Sequence, residues 1–101
     1  MNIQITTRHD RKVSDETKSF IEAEIEALEK FDANITSAHV VLDKEAHKTG
    51  EEDIVEVDLK SHGIPVSAKA TGENLLKAFD SVMEKITVQI KKKSEKLKSH
   101  K

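Results

Sequence analysis

The strongest constraint in this chain is the two-residue alternation that runs through residues 55–71. Val55, Val57 and Leu59 alternate with Glu56, Asp58 and Lys60, and Ile64, Val66, Ala68 and Ala70 alternate with Pro65, Ser67, Lys69 and Thr71. A period of two places all the apolar side chains of a strand on one face. Ser61, His62 and Gly63 form a turn between the runs, so the two strands pair as a hairpin. Pro65 lacks an N–H and belongs on an edge strand. Strands of this kind need a cover on one face and tolerate water on the other.

The remaining pattern supplies that cover. Ile3 and Ile5 alternate with Asn2, Gln4 and Thr6 in a first strand, and Ile35 to Leu42 form another with Ala38, Val40 and Leu42 facing inward. Between them Ser14 is an N-cap and Asp15 and Glu16 suit the first turn of a helix. The spacing predicts that helix from about Asp15 to Phe31, with Thr17, Ile21, Ile25 and Leu28 on its apolar stripe and Phe20 and Phe31 at the stripe's edge. Gly72 opens a second helix with Leu75, Phe79, Val82, Met83, Ile86 and Ile90 on one face. The charged stretch Asp43 to Asp53 reads as the tip of a longer hairpin. The expected fold is α+β, in the order βαβββα: a four-stranded sheet with two helices on one face. Residues 1–101 make one domain, with about 97–101 a frayed tail.

Several chemistries are excluded. With no cysteine there is no disulfide and no thiolate metal site. His9, His39, His47, His62 and His100 show no ligand-like helical spacing, and His9 beside Asp10 has no nucleophile placed with it, so neither a metal nor catalysis is expected. Gly50, Gly63 and Gly72 stand singly, which rules out a glycine-rich phosphate loop and leaves no cofactor or small-molecule substrate to expect. The polar N-terminus and the absence of a long apolar run predict an unexported, cytoplasmic protein that does not engage membranes, monomeric when free. The only aromatic residues are Phe20, Phe31 and Phe79, all on or beside helical stripes and therefore expected in the core. Without exposed rings the sheet offers no stacking platform for bases, and any nucleic-acid binding has to run through lysine contacts to phosphates.

Charge is divided along the chain. Residues 1–84 hold ten Lys+Arg against eighteen Asp+Glu, and residues 85–101 hold seven against one. At 100° per helical residue, Lys92, Lys85, Lys96 and Gln89 lie at about 260°, 280°, 300° and 320° from Leu75, a polar ridge on one flank of the apolar stripe. A helix dipole accounts for two lysines in a last turn, but not for this alignment. The ridge is a candidate anion-binding surface.

The segments ANITSAHVVLDKEA, SHGIPVSAKATGENLLKAFDSV and MEKITVQIKKKSEKLKSH, in this order of elements, resemble the ribosome hibernation-promoting factor family in its short form. The likeness covers nearly the whole chain and is most specific from Ala68 onward. It implies a fold similar to double-stranded RNA-binding domains. It also implies a non-enzymatic stress or stationary-phase protein that binds the small ribosomal subunit and its ribosomal RNA in the tRNA/mRNA channel and inhibits translation. Carried over by position, Lys85, Lys92 and Lys96 would contact RNA with Gln89 as a polar neighbour; Lys91, on the opposite flank, and Lys93, on the stripe, are further candidates, with Arg8, Arg11 and Lys12 compensating if their loop lies beside the ridge. Typical members also carry basic residues on the first helix and three residues after Lys85, where this chain has EAEIEALEKFD and Val88. An alternative reading is a protein-interaction module that docks partners through the acidic first helix and basic last helix, without direct RNA binding.

Overall fold

The computed structural model describes residues 1–9 and 12–98, with side chains through residue 92. Strand β1 (Asn2–Thr7) leads to helix α1 (Asp15–Glu26), a 3-10 turn (Ala27–Lys30), strands β2 (Ile35–His47), β3 (Gly50–Ser61) and β4 (Ile64–Gly72), and helix α2 (Leu75–Lys98). This is the expected βαβββα order. The strands lie in the sheet in chain order, with β1 parallel to β2 and the other neighbours antiparallel. The single parallel pair is the one joined by a helix, because parallel neighbours need a long crossover and antiparallel ones only a turn.

Local chemistry sets the boundaries. The Ser14 hydroxyl accepts from the Thr17 N–H at 3.1 Å and starts α1. The helix tightens to 3-10 geometry before the expected end at Phe31, with Phe31 and Asp32 N–H groups both directed to the Leu28 carbonyl. Most of Asp43 to Asp53 is strand rather than loop, since pairing continues to His47 opposite Gly50 and leaves Lys48 and Thr49 as the turn. At the second hairpin His62 and Gly63 have φ of 53° and 74°, the doubly positive geometry whose twist matches that of the flanking strands.

Both helices pack on one face of the sheet around a single core. Ile21, Ile25 and Leu28 of α1 and Phe79, Val82, Ile86 and Ile90 of α2 meet Val40, Leu42, Val55, Val57, Leu59 and Val66 from the strands. Each large aliphatic side chain so buried contributes about 1.5–3 kcal/mol. Pro65 lies on an edge strand, as its missing donor requires. Asp32, itself buried, accepts from the Ser61 hydroxyl and from the Asn34 N–H, pinning the α1–β2 connection to the end of β3.

Three apolar positions depart from the expected core. Phe20 on α1 and Phe31 just after the 3-10 turn are 43% and 44% exposed, because both lie on the side that turns toward α2 rather than onto the sheet. Phe20 meets Phe79 edge-on at 6.0 Å, and Phe31 lies beneath the Lys91 ammonium. Ile64 is 53% exposed at the outer end of the edge strand, where a neighbouring strand exists on one side only.

Candidate nucleic-acid interface

Helix α2 runs antiparallel beside the free edge of β4. The Lys85 ammonium donates to the Lys69 carbonyl at 2.9 Å, and the Gln89 amide donates to the Ser67 carbonyl at 2.8 Å. The repeat has a geometric cause: four helical residues rise about 6.0 Å and two strand residues about 6.6 Å, so an i, i+4 pair on the helix matches an i, i+2 pair on the strand. Ser67 and Lys69 share their parity with Pro65, so these carbonyls point away from β3, to the free edge of the sheet. The flank recognised in the sequence is therefore partly a seam that closes an exposed strand edge.

Lys85 uses one of its three ammonium donors in that bond and remains solvent-exposed, leaving the others for an anion. Lys92 is exposed farther along the same flank. The backbone of α2 extends through Lys93 and Lys96, whose side chains lie outside the described residues. Lys91 faces the opposite flank, with its ammonium 5.0 Å from the centre of the Phe31 ring.

Arg8 does not stand beside this ridge. Its N–H donates to the Leu42 carbonyl at 2.9 Å, holding it where β1 ends, and β1 and β4 are the two opposite edges of the sheet. Three strand spacings, about 14 Å, separate those edges. Lys12 is exposed in the same β1–α1 connection, and Arg11 lies outside the described residues.

The open face of the sheet carries locally paired polar side chains around a buried Val41. The His39 ring bonds the Thr6 hydroxyl at 2.8 Å, His9 bonds the Asp43 carboxylate at 2.6 Å, and His47 bonds Glu52 at 3.2 Å. The His9 hydrogen bond, followed by that from the Lys44 N–H, holds the Asp43 carboxyl below the usual carboxylate range. Strand pairing sets Glu45 opposite Glu52 and brings both within 4.8 Å of the His47 ring, a proximity that helical spacing rules do not register. All three phenylalanines are on the helices or at their ends, so the open face offers no ring on which a base could stack.

A second feature went unread in the sequence. Phe20, Glu24, Ala27 and Phe31 follow one another at i, i+4, i+7 and i+11, and Leu76, Asp80, Met83 and Thr87 do the same on α2. These rows border the seam between the helices, where a groove of about 630 Å³ opens from Leu28 and Phe31 to Met83 and Val88. The signal was present as a second periodic row on each helix, adjacent to the core stripe.

Residues 3–98 match the family described as Sigma 54 modulation protein / S30EA ribosomal protein. A Klebsiella oxytoca protein named ribosome hibernation promoting factor is 28% identical over 94 residues, spanning 93% of this chain and 95% of the relative. Its namesake in Salmonella typhimurium is 26% identical over 96 residues, with 93% and 95% covered. In fold, the chain is similar to a ribosomal subunit interface protein from Coxiella burnetii, with a TM-score of 0.80, 22% identity, and 94% of this chain and 99% of that one covered. It is likewise similar to the N-terminal domain of Thermus thermophilus Protein Y, with a TM-score of 0.76, 20% identity, and 91% and 98% covered. The four-stranded mixed sheet, its two helices on one face and the family match along almost the entire sequence lead to one conclusion: the chain belongs to the Sigma 54 modulation protein / S30EA ribosomal protein family.

Proposed function

We propose that this protein is a ribosome hibernation factor that binds the small ribosomal subunit in the tRNA/mRNA channel and inhibits translation under stress or in stationary phase. It acts in the cytoplasm, as a monomer when free, and catalyses no reaction. The observation that carries this reading is the family match over residues 3–98, in agreement with the names of the two relatives. Among the described residues no helix is long and apolar enough to cross a membrane.

The contact surface in this reading is the β4-side flank of α2. Lys85 and Lys92 reach backbone phosphates from a helix whose position is set by the core, with Gln89 as a polar neighbour and the charges of Lys93 and Lys96 following in the sequence, whereas Lys91, on the opposite flank against Phe31, stands apart from this surface. Recognition is by charge and shape, since no aromatic platform faces the nucleic acid. Sedimentation with small ribosomal subunits across a salt series tests this. Comigration should be strongest at low ionic strength, with log K falling against log salt at a slope of about -2 for three phosphate contacts on single-stranded RNA. Protein that stays in the supernatant at low salt would refute the reading. A footprint on ribosomal RNA away from the tRNA/mRNA channel would relocate the site.

A further inference from the structure

We infer that the groove between α1 and α2 docks a lysine- or arginine-rich amphipathic segment of another protein, separately from the lysine flank on the β4 side of α2. This goes beyond the ribosome reading and stands whether or not the chain binds ribosomal RNA. Among the described residues five large apolar side chains are exposed, and four of them, Phe20, Phe31, Leu76 and Val88, border this one seam. Exposed apolar residues scattered singly are ordinary, whereas a contiguous row marks an interaction surface. Small side chains at Ala27 and Thr87 line the groove and leave room for an inserted apolar anchor.

Charge selects the occupant. Glu24 from α1 and Asp80 and Glu84 from α2 line the groove, and none of the three has an ion-pair partner among the described residues. Glu16 borders the continuation of the seam toward Phe20 and Leu76. Lys30 and Lys91 stand only at the Phe31 end. A row of unpaired carboxylates beside apolar side chains repels a phosphate backbone and complements cationic side chains spaced around apolar anchors. Helix α2 therefore has two unlike flanks: a lysine ridge against β4, and an acid-lined apolar groove against α1.

The test uses the whole protein, isotopically labelled, and an 18-residue peptide with leucines at i, i+4, i+7 and i+11 and lysines elsewhere. Amide shift changes should concentrate in residues 20–31 and 76–88. Affinity should drop about tenfold in the Glu24→Lys, Glu84→Lys double variant, because docking of a cationic segment depends on the facing charge. An unchanged background spectrum for that variant verifies its fold, and Phe31→Ala supplies an independent loss of the apolar anchor. Equal binding of a peptide with the same composition but scattered leucines would overturn the proposal. So would seam shifts caused by a 12-nucleotide oligouridylate, or seam shifts that grow with protein concentration alone, which would make the occupant a second copy.

Discussion

The Lys85 ammonium donates to the Lys69 carbonyl at 2.9 Å, so a residue expected to face RNA also ties α2 to the free edge of the sheet. One turn on, Gln89 does the same at Ser67. The two roles separate by measurement. Replacing Lys85 or Gln89 by Ala should lower stability by up to about 1 kcal/mol each, since each bond is solvent-exposed. Lys92→Ala should leave it within about 0.5 kcal/mol. Urea denaturation reads both. Lys92→Glu should then weaken ribosome sedimentation about tenfold and reduce the salt slope by about 1, with the melting temperature unchanged.

Gly72 is required by space rather than by backbone conformation. A Cβ at this position would lie 2.6 Å from the Ala78 backbone nitrogen, and backbone cannot swing aside as a long side chain can. The crossing brings the end of β4 against the first turn of α2, where the Asn74 carboxamide caps the Lys77 N–H at 2.9 Å. Gly72→Ala should destabilise by about 1–3 kcal/mol, as overpacking does. Thermal unfolding monitored by circular dichroism checks it, and an unchanged midpoint would show that α2 is free to shift.

Ser61 and Asp32 form a buried polar pair between β3 and the α1–β2 connection. Ser61→Ala removes a donor from a carboxylate that has little access to water, at a cost of about 1–3 kcal/mol. The loss should exceed that of the exposed Thr36→Ala, whose hydroxyl donates to the Lys60 carbonyl at a long 3.4 Å. Chemical denaturation of the two variants side by side gives the comparison.

Asp43 predicts a pH dependence with a definite sign. Its folded-state carboxyl is held below the ordinary value by the His9 hydrogen bond first and the Lys44 N–H second. A depressed carboxyl contributes stability above its unfolded pKa, and that contribution is lost as pH falls through the folded value, in the region from about pH 4 downward. Carbon-detected NMR titration should place Asp43 below the ordinary carboxylate range, and His9→Ala should move it upward. No movement in that variant would assign the effect to the Lys44 backbone.

Much of the fold was legible because its strands are covered on one side. The alternation around Val55 and Val57, the turn at His62 and Gly63, the Ser14 cap and the edge position of Pro65 all follow from local steric and hydrogen-bonding rules that act over a few residues. The lysine flank was legible in the same way, as an angular row on a helix. What that flank touches was not, since the partners of Lys85 and Gln89 lie sixteen and twenty-two residues back along the chain. Neither was the exposure of Phe20 and Phe31, which sit beside the apolar stripe but face a second helix instead of the sheet.

Sequence periodicity by itself determined which side chains share a face, the order of the elements and the acidic body set against a basic last helix, because these depend on backbone repeat and composition alone. Only the tertiary structure decided which edges are free and what lies opposite each flank. Strand order placed β1 and β4 at opposite edges, removing Arg8 from the ridge. The match between helical and strand rise turned part of that ridge into an edge seam. The fit of two helices side by side on one sheet turned the second periodic row of each into the facing walls of a groove. Each of these depends on how separate elements meet in space, which no short window of residues encodes.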